Sequence, residues 1–129
     1  MKLTSEMKKL LESFPFSFTF WERKNGKLYC LYRNSLSEKI LGIKKDEFLG
    51  KEYYACYPHA PLSYQERFAR VLDKEEIWRV EEFRFMGKHG DQQKLFQFTS
   101  FRVDENLIGV IIQPLKKCAK TNQDGPPCP

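Results

Sequence analysis

The chain has 129 residues, room for one ordinary domain and not comfortably for two. Its 41% hydrophobic and 15% aromatic content, with 11 Phe, 6 Tyr and 2 Trp, is enough to bury a core and excludes global disorder. The net charge of +5 divides into +2 over residues 114 to 129 and +3 over residues 1 to 113, where acids and bases interleave, so the pattern argues against a nucleic-acid footprint.

Leu3, Met7, Leu10, Leu11 and Phe14 recur at helical spacing, so residues 4 to 13 read as a short amphipathic helix. A helix of that length is marginal alone in water and has to dock on the domain or on a second copy. The period then changes to two, with Phe14, Phe16, Phe18 and Phe20 alternating against Ser13, Pro15, Ser17 and Thr19, which predicts a first strand. Asn25-Gly26 signals a tight hairpin into a second strand over Leu28 to Tyr32.

From Ser35 to Tyr57 the pattern is helical but broken, with Leu36, Ile40 and Leu41 before Gly42, and Phe48 and Leu49 before Gly50. Beyond Pro58 and Pro61, the spacing of Tyr64, Phe68, Val71 and Leu72 predicts a longer helix over residues 62 to 75. Strands follow over Ile77 to Met86, Lys94 to Val103 and Leu107 to Gln113, separated by turns at Gly87 to Asp91 and Asp104 to Asn106. Three hairpin-linked strands pair antiparallel, so the order is incompatible with a parallel βαβ array and the fold class is α+β. Residues 1–13 are expected to form an N-terminal helix, 14–113 the domain, and 114–129, with four prolines and a glycine, a flexible tail.

No apolar run approaches the roughly 18 residues of a membrane helix. The N-terminus carries no apolar stretch or cleavage site of a secretion signal, so a cytoplasmic protein is expected. Cys30, Cys56, Cys118 and Cys128 form no C-x-x-C pair, and His59 and His89 stand far apart, which predicts free thiols and no metal site. The chain shows no G-x-S-x-G, no phosphate loop and no telling pair of acids, so catalysis is not expected.

The segment from Asn34 to Lys51 resembles the core signature of PAS domains. Asn34, Gly42, Glu47, Gly50 and Lys51 fall in that family's register, with the Asn-Gly turn ahead and a helix and three strands behind. Capping and turning explain Asn34, Gly42 and Gly50 without any ligand. The resemblance covers about residues 14 to 113 and implies a five-stranded antiparallel sheet. Helices would cover one face and enclose a cavity, leaving the other face for dimerisation or for docking a partner.

The family's flavin-binding light sensors carry a reactive cysteine a few residues past the glycine that Gly50 matches; here Tyr53 stands in its approximate place, which disfavours a flavin adduct. The position of the covalently bound chromophore in photoactive yellow protein reads Tyr57-Pro58-His59-Ala60-Pro61, without the thiol, although Cys56 lies nearby. His59 is the one haem-ligand candidate, and haem is not expected.

Leu31, Arg33, Phe48, Tyr53, Phe68, Leu72, Phe83, Phe96 and Phe98, together with the phenylalanines of the first strand, are expected on the inner face. Counting by two from Leu31 places Arg33 on the same face. An inward Arg33 needs a counter-charge, which an anionic ligand such as a carboxylate could supply; the alternative is an Arg33 that reaches solvent or pairs with Glu38. Two functions remain open. One is a sensory module binding a small molecule in an aromatic-lined cavity. The other is a ligand-free module in which Leu3, Met7, Leu10 and Leu11 pair two copies or dock a kinase or other effector.

Overall fold

The computed structural model describes residues 3–86 and 93–115, with the backbone alone at 45, 83–86, 93 and 94. The predicted turn at Gly87 to Asp91, His89, Cys118, Cys128 and most of the tail lie outside the described residues.

Helix α1 (Ser5–Glu12) leads into β1 (Ser17–Lys24) and β2 (Lys27–Arg33), followed by α2 (Ser35–Leu41), α3 (Lys45–Phe48), α4 (Tyr53–Cys56) and α5 (Ser63–Asp73). The chain then runs through β3 (Trp78–Met86), β4 (Gln93–Asp104) and β5 (Leu107–Pro114). The strands form one antiparallel sheet in the order β2-β1-β5-β4-β3, as the α+β reading requires. Asn25 and Gly26, at φ 53° and 77°, turn the β1–β2 hairpin in the left-handed region that an Asn-Gly pair tolerates.

The sheet has an apolar layer on each face. On the inner side, α2 to α5 pack Leu41, Phe48, Tyr53, Phe68 and Leu72 against Trp21, Cys30, Phe98, Ile108 and Val110 of the strands. On the outer side, Leu11 of α1 and the half-buried Leu3 and Phe14 cover Phe18, Phe20, Tyr32 and Leu107. Each large side chain so buried contributes about 1.5–3 kcal/mol, which gives α1 the tertiary support its eight residues lack alone.

Three expectations change. Strand β1 begins at Ser17, three residues after Phe14, because the Phe16 carbonyl accepts from the Asn34 side-chain amide rather than from a neighbouring strand; Phe16 itself is 41% exposed. Phe18 and Phe20 lie on the outer face, where they pair across β5 with Ile111 and Gly109, while Thr19 and Trp21 take the inner one. Leu31 also belongs to the outer face. The register shifts between Phe20 and Trp21, whose partners are Tyr32 and Cys30, so Leu31 is an extra residue with no partner on β1. This β-bulge puts Leu31 and Tyr32 on one side and returns Arg33 to the inner side.

Candidate functional site

Arg33 ends β2 opposite Thr19 and is fully buried. Its Nε and Nη2 both donate to Ser37 Oγ, at 3.1 and 3.0 Å, and the guanidinium lies 4.6 Å above the centre of the Phe48 ring. Nη1 is buried without a hydrogen-bond partner. Burial lowers the pKa of Arg33, against smaller opposing effects of Tyr57, Cys30, Glu38 and Cys56. The same burial pushes the Cys30 and Cys56 thiols up to about 12 and raises the Tyr57 phenol, so these neighbours are neutral at physiological pH.

From Phe48 a continuous line of rings crosses the interior. Phe48 meets Tyr57 at 5.2 Å, Tyr57 meets Tyr53 at 5.0 Å, Tyr53 meets Phe68 at 5.0 Å, Phe68 meets Trp78 at 4.9 Å and Trp78 meets Phe98 at 5.2 Å. Trp21 closes on Tyr53 from the sheet, also at 5.0 Å. Most of these contacts are edge-to-face, the arrangement in which ring quadrupoles attract. The cavity bordered by Leu28, Tyr53, Phe68 and Leu72 measures about 30 Å³. That is room for a water or two, well short of the roughly 300 Å³ at which drug-sized ligand pockets begin.

Among the inward-predicted residues, Arg33, Phe48, Tyr53, Phe68, Leu72, Phe96 and Phe98 are buried on the inner side, and Leu31 is not among them. Phe83 pairs with Phe96 in the backbone register, and its side chain lies outside the described residues. His59 is exposed on the connection between α4 and α5, away from the interior. Sequence reasoning missed Ser37 and the interior role of Trp21. Ser37 stands four residues after Arg33 in the first turn of the helix that Asn34 caps, a spacing that could have flagged it.

Asn34 is the second feature of the site. Its Oδ1 accepts from Phe18 N and Ser37 N, at 3.0 and 3.1 Å, and its Nδ2 donates to the Leu11 and Phe16 carbonyls, at 3.0 and 2.8 Å. One buried side chain therefore caps α2, anchors the start of β1 and holds the end of α1. Glu12 of α1 reinforces the tie by accepting from Ser35 N at 2.9 Å and from the Ser35 and Tyr32 hydroxyls. Gly42 closes α2 at φ 71°, the left-handed C-cap that favours glycine. Gly50 N donates to Cys30 O at 2.8 Å and Lys51 O accepts from Cys30 N at 2.9 Å, so this loop pairs with the free edge of β2.

Element order, strand order and the helices on the inner face define a PAS-like fold, and comparison with solved structures shows the same. The PAS domain of nitrogen regulation protein NR(II) from Vibrio parahaemolyticus superposes with a TM-score of 0.67 at 12% identity, over 87% of this chain and 100% of that one. A domain of the sensory box sensor histidine kinase/response regulator from Geobacter sulfurreducens gives 0.66 at 18%, over 84% and 90%. The Rhodobacter sphaeroides LOV protein gives 0.71 at 9%, over 88% and 67%. No protein-family model and no curated protein matches the chain. A flavin adduct does not fit the residues present: Tyr53 stands where the thiol would be, and rings centred 5.0 Å from it fill the space beside it.

Proposed function

We propose that this chain is a PAS sensory module in which an event in the aromatic-lined interior is passed to α1 on the opposite face. The observation that carries the reading is the junction at the end of β2. Arg33 faces the inner layer and bonds to Ser37 of α2, while the adjacent Asn34 bonds to Ser37 and, across the sheet, to the last turn of α1. Two successive residues thus join the interior to the helix on the outer face through a single short helix. A change at Arg33 that moves Ser37 has a hydrogen-bonded path to α1. The sensory proteins among the similar structures support a signalling role, with a histidine-kinase-like effector as the partner class. Among the described residues the interior brings together no nucleophile–base pair, and we read the chain as non-catalytic.

Ligand-free association is the second reading. Leu11 is buried under α1, but Leu10 is 63% exposed on the same helix and Phe16 is 41% exposed just beyond it. These apolar groups suit pairing with a second copy or docking on an effector. Native mass spectrometry against the denatured mass tests both readings together. A non-covalent extra mass supports sensing, whereas a clean apo dimer replaces it with association.

A further inference from the structure

We propose that the buried end of Arg33 is the recognition point for a small carboxylate carrying a short apolar tail. This deepens the sensory reading and rests on it. A guanidinium has five N–H donors, and Ser37 Oγ takes two of them, from Nε and Nη2 on one edge of the fork. One N–H of Nη1 and the remaining one of Nη2 form the terminal edge, and Nη1 has no partner although Arg33 is fully buried. That edge is the one that grips a carboxylate through two parallel hydrogen bonds.

The surroundings give the guanidinium no ion-pair partner: Glu38 acts on it only through space. Ser37 is neutral, Phe48 offers only its ring face, and the side chains of Tyr57, Cys30 and Cys56 are protonated at neutral pH. Among the described residues, none of the ion pairs involves Arg33, the half-buried Glu38 included. A buried cation with no ion pair and an unpartnered Nη1 is costly, and a bound anion removes the deficit. The surroundings set the ligand class: a carboxylate is matched at its head by the fork, and its apolar tail has to open space among Phe48 and the rings packed on it, whereas a hydrated inorganic ion meets no second partner. Cys30 belongs both to the surroundings of Arg33 and to an open groove of about 400 Å³ that it lines with Leu31, Leu49 and Gly50 at the β2 edge.

The test is thermal unfolding of the full chain with sodium acetate, propionate or benzoate, against sodium chloride at equal ionic strength. At a concentration ten times the Kd of the best of the three, the midpoint of the wild type should rise by about 5 °C over the chloride control. Arg33→Met, which fills similar volume without the charge, should show no difference between carboxylate and chloride. If that variant does not fold, Arg33→Lys keeps the charge but not the fork and should bind about tenfold more weakly. A wild type indifferent to all three carboxylates overturns the proposal, as does an equal response in wild type and variant. Native mass spectrometry separates the two levels: a copurified mass retained by Arg33→Met overturns the role of Arg33 and leaves interior sensing standing, whereas a clean apo protein with no carboxylate response removes both.

Discussion

Replacing Asn34 tests whether one amide holds the two faces together. In Asn34→Ala, the buried Phe18 N–H loses its acceptor, at about 1–3 kcal/mol for an unsatisfied buried group. Helix α2 loses its side-chain cap, at about 1 kcal/mol. The carbonyls of Leu11 and Phe16 lose less, because Leu11 O still accepts from Phe14 N at 3.2 Å and Phe16 lies partly in water. The sum is about 3 kcal/mol, a large part of the 5–15 kcal/mol that holds a domain together. Urea denaturation should show the midpoint falling at unchanged slope. Asn34→Asp then isolates the tie to α1, since it keeps both acceptor contacts but turns a carboxylate oxygen toward two carbonyls. Amide hydrogen exchange in α1 should accelerate in that variant while β1 and β5 stay protected. An Asn34→Ala protein within about 0.5 kcal/mol of wild type would refute the reasoning, as would unchanged α1 exchange in Asn34→Asp.

Phe68→Ala removes the ring that joins Tyr53 to Trp78 and should destabilise by about 3–5 kcal/mol in chemical denaturation; it should also alter any ligand-dependent melting shift, and an unchanged shift counts against Phe68 as a cavity wall. Leu10→Glu sits on a side chain that is 63% exposed, so stability should move by no more than about 0.5 kcal/mol. A dimer that survives this change in light scattering must use a surface other than α1. The thiols of Cys30 and Cys56, pushed by burial to about 12 from 9.0, favour the folded state below pH 9, and that contribution is lost as the pH rises toward 12. A pH series of urea midpoints should therefore decline above pH 9, and a flat profile contradicts their burial. In the native protein at pH 8 both thiols should react with a disulfide reagent far more slowly than in urea, and equal rates contradict it as well.

The order of elements was legible because each left a periodic or turn signal: Asn25-Gly26 for the hairpin, the Phe68, Val71 and Leu72 spacing for α5, and the alternation in β4. Which face a strand residue takes was less legible. The alternating phenylalanines of residues 14 to 20 mark a strand that takes in Phe18 and Phe20 but not Phe14 and Phe16, and it is buried on both faces rather than half-buried, because a sheet with apolar cover on both sides gives alternation no unique sense. The α1 layer claimed Phe18 and Phe20, and the inner face went to Trp21. Counting by two places Arg33 inward from Leu31, which itself faces outward, because a period of two cannot register the extra residue at Leu31. Asn34 could be read as a cap from its place between strand and helix. Its two bonds to Leu11 and Phe16 are long-range and leave no trace in local spacing.

The bulge at Leu31 also bears on how this strand tolerates length change. In a regular strand, gaining or losing one residue sends everything beyond it to the wrong side of the sheet. Here Cys30 faces inward, Tyr32 outward and Arg33 inward, so excising Leu31 leaves strict alternation and every neighbour on its present side. Position 31 is a place where the chain can shorten by one residue without reassigning its interior, at the expense of a half-buried outer contact and the local bend that the extra residue imposes. Among homologous sequences, single-residue gaps in this strand should gather at this position and be excluded from its neighbours.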